Sequence, residues 1–202
     1  KFFDVVVVGG GPAGMQAALD SAVDGCEVFL IDENPILGGS LNYSRFDVEG
    51  CQGQLIRQEL ISAIEAKNNI FVMTDAVCNG WFADNWLPVV AGNRLFKVRA
   101  AQIILCTGSL EQPALFHNND LPGVIMGSAA QRMLHLYGVY PGSAAVILTG
   151  NNDGYGVALD LHEVGIAIKA IVDLRDKPIY DAIAEKAIDL GLTVKTGYAV
   201  YA

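Results

Sequence analysis

The stretch Asp4-Val5-Val6-Val7-Val8-Gly9-Gly10-Gly11-Pro12-Ala13-Gly14 decides the fold. Asp4 to Val8 is a short β-branched apolar run, as in a strand buried on both faces. Met15 to Asp24 reads as a helix with Ala17, Ala18, Ser21 and Ala22 as a small-residue face, and Gly25 stops it. Glu27 to Ile31 is a second strand, ending at Asp32-Glu33. Together they make one βαβ unit of the expected length, about 30 residues.

Gly9-x-Gly11-x-x-Gly14 sits between strand and helix, where a dinucleotide motif must sit. Gly9 allows the tight turn, Gly11 lets the backbone approach a pyrophosphate, and Gly14 lets helix pack closely on strand. The free N–H groups at the helix N-terminus favour an anion. Asp32, at the end of the second strand, is placed for ribose hydroxyls. Asp32-Glu33 would repel a 2′-phosphate, and no Arg or Lys stands on that loop. NAD and FAD therefore fit this site and NADP does not.

Outward from this unit, Asn34 to Gly53 is rich in glycine and polar residues, with Gly38-Gly39 early in it. Gln54 to Lys67 has helical spacing, with Leu55, Leu60, Ile61 and Ile64 on or near one face. Ile70 to Met73 is a third strand. Trp81-Phe82, Leu87 to Ala91 and Arg94 to Val98, broken at Asp84-Asn85 and Gly92-Asn93, predict an antiparallel meander. Gln102 to Cys106 is a further buried strand. Ser109 to Gly127 is linker-like, and Ser128 can cap a helix over Ala129 to Tyr137.

The opening pattern then returns. Ala144 to Thr149 reads as a strand, Gly150 to Gly156 as a turn, and Val157 to Val164 as a helix closed by Gly165. Ile168 to Leu174 is a strand, Pro178 to Leu190 a helix with proline in its first turn, and Leu192 to Tyr201 a last strand. The expected fold class is α/β. A Rossmann-like parallel sheet with an antiparallel meander fills 1–112, a connecting segment 113–142, and a second, incomplete Rossmann-like unit 143–202. The first residue is not Met and the second unit stops halfway, so the chain reads as a piece of a longer polypeptide.

The second turn departs from the fingerprint. Its second and third glycine positions hold Asn152 and Tyr155, and Asp153 brings a negative charge to the anion site. It reads as a fold repeat without a ligand.

With 13 basic against 22 acidic residues the net charge is −9, which excludes a nucleic-acid or anionic-membrane surface. The longest apolar runs fall far short of the roughly 18 residues of a membrane span. Cys26, Cys51, Cys78 and Cys106 show no C-x-x-C spacing, so neither a disulfide framework nor a metal site is expected. His117, His135 and His162 read as surface or packing residues, the last two without an acid or cysteine partner at ligand spacing. Trp81 and Trp86 read as packing residues, and no serine sits in a nucleophile elbow.

Leu110-Glu111-Gln112-Pro113, Asn118-Asn119-Asp120-x-Pro122-Gly123-Val124, Tyr137-Gly138-Val139-x-Pro141-Gly142, Asn151-Asn152-Asp153 and Ala158-Leu159-Asp160-Leu161 resemble the α subunits of heterotetrameric sarcosine oxidases. The likeness runs over essentially the whole chain and is strongest from Thr107 to Asp160. It is shared more loosely with opine-oxidase and cyanide-synthase subunits, within the wider family of two-dinucleotide-domain flavoproteins such as thioredoxin reductase.

The cysteines, read as small buried hydrophobes, point to the reducing cytoplasm, and the resemblance implies a hetero-oligomeric oxidase that converts sarcosine to glycine with tetrahydrofolate and oxygen. It implies NAD at the first site of this chain, FMN at an interface between subunits, and the amine-oxidising FAD on another chain. The positions matching the family's nucleotide contacts are Gly9, Gly11, Ala13, Gly14, Asp32, Glu33, Asn34, Ser40, Val77 and Thr107. No catalytic residue is implied here. The alternative is an FAD-dependent, nicotinamide-linked oxidoreductase with FAD at the same first site.

Overall fold

In the computed structural model, residues 1–45, 47, 48 and 51–201 are described, without the side chains of residues 47, 48 and 51. In chain order the elements are β1 (Phe2–Val8), α1 (Pro12–Ser21), β2 (Val28–Ile31), β3 (Asp47–Val48), β4 (Cys51–Gln52), α2 (Gly53–Glu65), β5 (Ile70–Met73), β6 (Ala76–Cys78), β7 (Trp86–Ala91), β8 (Arg94–Leu105), α3 (Gly127–Tyr137), β9 (Ala144–Thr149), α4 (Asp153–Glu163), β10 (Ala167–Asp173), α5 (Ala182–Asp189) and β11 (Val194–Thr196). The chain divides into two units. One holds Lys1–Asn42 and Gly53–Ser109; the other holds Tyr43–Gln52 and Leu110–Ala202. No helix among the described residues is long and apolar enough to cross a membrane.

The first unit is one sheet in the order β5-β2-β1-β8-β7-β6. From Val5 to Val8 the side chains alternate across β1 and feed two cores, and Phe3 joins the core of Val6. Val5 and Val7 pack with Met15, Ala18, Val28, Leu30 and Ile64 on the helical side. Phe3 and Val6 pack with Phe29, Ile31, Leu87, Val89 and Val98 on the meander side. Burial on both faces is what an unbroken β-branched run is suited to.

Here the structure joins what the sequence reading had separated. Arg94 to Val98 and Gln102 to Cys106 belong to one strand, β8. Its first half pairs antiparallel with β7 and its second half parallel with β1. No glycine, proline or asparagine lies between them, so nothing stops the strand. Trp81-Phe82 forms no strand; Phe82 makes only an isolated bridge to Trp86. Helix α1 begins at Pro12 and ends at Ser21, where the Ala22 N–H turns back to Ala18 and Leu19.

The second unit holds a three-stranded parallel sheet in the order β11-β10-β9 and the antiparallel pair β3-β4. Four expected boundaries move. The N-terminus of α3 is capped by Glu111, whose carboxylate accepts the Gly127 and Ser128 N–H groups at 2.8 and 2.9 Å, and not by Ser128. Helix α5 starts after Asp181, whose side chain accepts from Ala184 N–H, so Pro178 lies outside it. Helix α4 starts at Asp153, four residues before the expected start. The last strand covers only Val194–Thr196.

Candidate functional site

The glycine loop follows β1, and each of its glycines answers to something different. Gly9 has φ +105°, and a Cβ there would strike the Cys106 carbonyl. A Cβ on Gly14 would strike the Gly9 carbonyl, and one on Gly10 would strike Leu37 and Asp32. These three glycines are demanded by the protein itself. Gly11 is not. It has ordinary extended backbone (φ −72°, ψ −177°), and a Cβ would meet nothing closer than Gly39 Cα at 3.9 Å. The space in front of Gly11, at the N-terminus of α1, is open.

Asp32 lies at the end of β2, 6% exposed. Its Oδ1 accepts the Asn34 backbone N–H at 2.7 Å and the Asn34 side-chain N–H at 2.9 Å. Its Oδ2 accepts the Gly10 N–H. A carboxylate offers about four lone-pair sites, so one remains for a further donor. Glu33 and Asn34 beside it are exposed. Gly10 was absent from the residues expected at the site. The three consecutive glycines, one more than the fingerprint needs, were its signal in the sequence.

The other expected site residues come to the same end of the sheet. Ala76 N–H donates to Asp32 O and Asp75 N–H to Asn34 O, which sets Val77 one residue from the Asp32 strand end. A Cβ on Gly9 would stand 3.2 Å from Thr107 N, so Thr107 borders the loop. Gly38 N–H donates to Gly10 O at 2.8 Å. Next to it, a Cβ on Gly39 would stand 2.9 Å from Gly11 Cα, and Ser40 follows, exposed. Ala13 is exposed on the first turn of α1. The loop lies beyond the carboxyl ends of β1, β2 and β8, where the chain passes to opposite sides of β1; open α/β sheets form their ligand crevices there. Burial pushes the Cys106 thiol up, so it stays protonated beside the loop.

The turn after β9 repeats this skeleton with other atoms. Asp173 stands 23 residues beyond Gly150, as Asp32 does beyond Gly9. Its Oδ1 accepts the Arg175 backbone N–H and Nε–H, both at 3.0 Å. Its Oδ2 accepts Tyr155 OH at 2.8 Å and Arg175 Nη2–H at 2.7 Å. All four sites are taken. Burial pushes the Asp173 carboxyl up, but the Arg175 and Tyr155 hydrogen bonds outweigh it and hold it below its usual range. Burial, together with Asp173, raises the Tyr155 hydroxyl. Asn152 accepts from Arg175 Nη2 at 2.8 Å and donates to Ile179 O at 3.1 Å. Gly154 is required by Thr149, whose side chain a Cβ would strike.

His135 has no acid at ligand spacing in the sequence, but the fold brings one near it from another helix. Its Nε2 lies 3.6 Å from Asp160 Oδ2, and its Nδ1 accepts from Arg45 Nε at 3.3 Å. Asp160 is 3% exposed and accepts from Gln131 Nε2 at 2.6 Å. Burial pushes the Asp160 carboxyl up to about 6, against the pull of Gln131 and Arg45. His135 is lowered by burial and by Arg45, with Glu163 acting the other way.

With this geometry in place, the likeness to known proteins can be located on it. Residues 4–101, which carry the glycine loop, Asp32 and the meander, match the FAD dependent oxidoreductase family. The α subunit of sarcosine oxidase from Rhizobium meliloti (strain 1021) is 33% identical over 189 residues, 85% of this chain and 19% of that protein. The chain is a relative of sarcosine oxidase α subunits. An opine oxidase chain from Agrobacterium tumefaciens (strain Ach5) is 25% identical over 90% of this chain and 39% of its own length. Among solved structures, L-proline dehydrogenase from P. horikoshii superposes with a TM-score of 0.75 at 28% identity, covering 83% of this chain and 35% of that one. The chain thus spans about a fifth of the length of the α subunits it matches. Its fold is that of the Rossmann-type flavin oxidoreductases.

Proposed function

We propose that the first unit binds an adenine dinucleotide without a 2′-phosphate, NAD first and FAD as the alternative. We place it within the α subunit of a sarcosine oxidase-type complex. The observation that carries this reading is Gly11: nothing among the described residues requires a glycine there, and a pyrophosphate approaching α1 would. Gly9 and Gly14 shape the turn, the α1 N-terminus favours the anion, and Asp32 offers its remaining lone pair to a ribose hydroxyl. Glu33, Asn34, Ser40, Val77 and Thr107 border the same space.

The nicotinamide or flavin ring of such a cofactor exchanges a hydride when bound. The residues named here grip only the adenosine diphosphate end. Asp32 accepts a hydrogen bond, and the backbone at Gly11 admits the phosphates. Amine oxidation, an interfacial FMN and transfer of the methyl group to tetrahydrofolate would then belong to other parts of the complex.

The test is an absorbance spectrum of the purified chain, followed by mass analysis of the nucleotide released on denaturation. NAD or FAD is expected. A chain that releases neither, and binds neither on titration, contradicts the reading. Peroxide release from sarcosine by this chain alone would contradict the assignment of amine oxidation to another chain.

A further inference from the structure

Arg57 is a cation that the dinucleotide reading leaves without a role. It lies in the second turn of α2, half-buried, and its Nε–H donates to Leu37 O at 3.0 Å. Its Cδ and Nε press on Gly38, where a Cβ would stand 2.7 Å from each. Gly38 is bonded to Gly10, and the next residue, Gly39, touches Gly11. The guanidinium therefore leans on the short loop that borders the open space at Gly11.

Two further facts single it out. Among the described residues no carboxylate lies within ion-pair distance of Arg57. Of its five N–H donors, only Nε has a protein partner among them. The other basic residues of the first unit are Lys1, Lys67, Arg94, Lys97 and Arg99. Lys1 precedes β1, Lys67 follows the far end of α2, and the remaining three lie on the first half of β8. Lys1, Lys97 and Arg99 gather at the edge away from the glycine loop, Lys67 precedes β5, and Arg94 pairs with Ala91 on the meander, two strands out from Ala76. The near edge carries Asp32 and Glu33. A dinucleotide's two phosphate charges would meet two carboxylates there, and the helix dipole supplies about half a charge in their favour.

We propose that Arg57 is the counter-charge for the pyrophosphate, donating to a phosphate oxygen from the guanidinium nitrogens that have no partner among the described residues. This rests on the dinucleotide reading. Arg57 acts in it as a cation, beyond bracing the loop through Nε.

The test is calorimetric titration of the chain with NAD and with ADP over a range of salt concentrations, for wild type, Arg57→Met and Arg57→Lys. Wild-type affinity should fall with salt. Arg57→Met should bind both ligands about 10- to 100-fold more weakly, the range of a hydrogen bond to a charged group, with a flatter salt response. Arg57→Lys, which keeps the charge, should recover most of the loss. Melting temperatures show whether the variants fold; should Arg57→Met not fold, Arg57→Gln carries the same comparison. Wild-type affinity and salt response in the neutral variant would overturn the proposal. So would a lysine variant no better than the neutral one, which would leave Arg57 as a loop brace only. A wild-type chain that binds neither NAD, FAD nor ADP overturns the dinucleotide reading itself, and does so before any variant is compared.

Discussion

The turns after β1 and β9 share one skeleton and differ in what the protein has left unused. Both follow a parallel strand, both open a helix, and both are followed 23 residues after their first glycine by a buried aspartate. In both, the residue two beyond the aspartate donates its backbone and side-chain N–H to Oδ1. The difference lies at Oδ2 and at the second and third glycine positions. Asp32 keeps a lone pair and faces an open Gly11. Asp173 is filled by Tyr155 and Arg175, and Asn152 stands where Gly11 would be. A repeat can therefore keep its fold while its ligand capacity is consumed by its own side chains.

The largest effect expected from this comparison is at Gly11. Gly11→Val should reduce nucleotide binding at least about 100-fold and leave the melting temperature nearly unchanged, because the added atoms enter open space that only a pyrophosphate needs. Gly14→Ala, by contrast, should unfold or strongly destabilise the unit through the Gly9 carbonyl. Calorimetry and thermal melts separate the two; a valine variant that binds normally removes the ligand from this loop.

Asp32→Ala comes next. It should weaken binding by about 1–3 kcal/mol, the scale of a hydrogen bond to a charged group. Titration with NAD checks this, and unchanged affinity would mean that the spare lone pair meets no ribose.

A smaller effect sharpens the second unit. The Asp160 carboxyl is raised to about 6 by burial, above the ordinary value it has in the unfolded chain. Its stabilising contribution is full below that ordinary value and is lost as pH rises through about 6. Asp160→Asn resembles the protonated form and can still accept from Gln131. It should be more stable than wild type by about 1–2 kcal/mol at pH 7.5, with the difference vanishing near pH 4. Lowered His135 acts in the opposite sense, losing stability as pH falls below its ordinary value, and is common to both proteins. Denaturant melts at the two pH values read the difference; a variant less stable at pH 7.5 would show that the carboxylate is compensated after all.

The smallest expected effect is none. With the first site filled, NADH and NADPH should not bind at Gly150 to Gly156. Saturable binding of a second nucleotide, lost in a folded Asn152→Val variant, would break the comparison.

What the sequence made legible follows from locality. Four consecutive valines, a glycine run and a small-residue helix specify β1, its turn and α1 within 25 residues, and the ten expected contact positions gather because they lie on that turn, on the first turn of α1 and on the segments that follow β2, β5 and β8. Longer-range choices were not legible. The continuity of β8 depends on a switch of partner at Arg99, which no local signal marks. Glu111 caps a helix that starts 16 residues later. Half-buried His135 and buried Asp160 approach each other from two helices, so neither residue shows a partner at helical spacing. Tyr155 reads in the sequence as bulk at a glycine position; only the structure shows its hydroxyl on Asp173.

All of this turns on one adenine dinucleotide per chain, held on the first turn and not the second. Quantifying the nucleotide released per mole of chain after saturation tests it most directly, for wild type, Gly11→Val and Asn152→Val. The expected result is one equivalent of NAD or FAD from wild type, one from Asn152→Val and none from Gly11→Val. Two equivalents from wild type, or one equivalent that survives Gly11→Val and disappears in Asn152→Val, would contradict it.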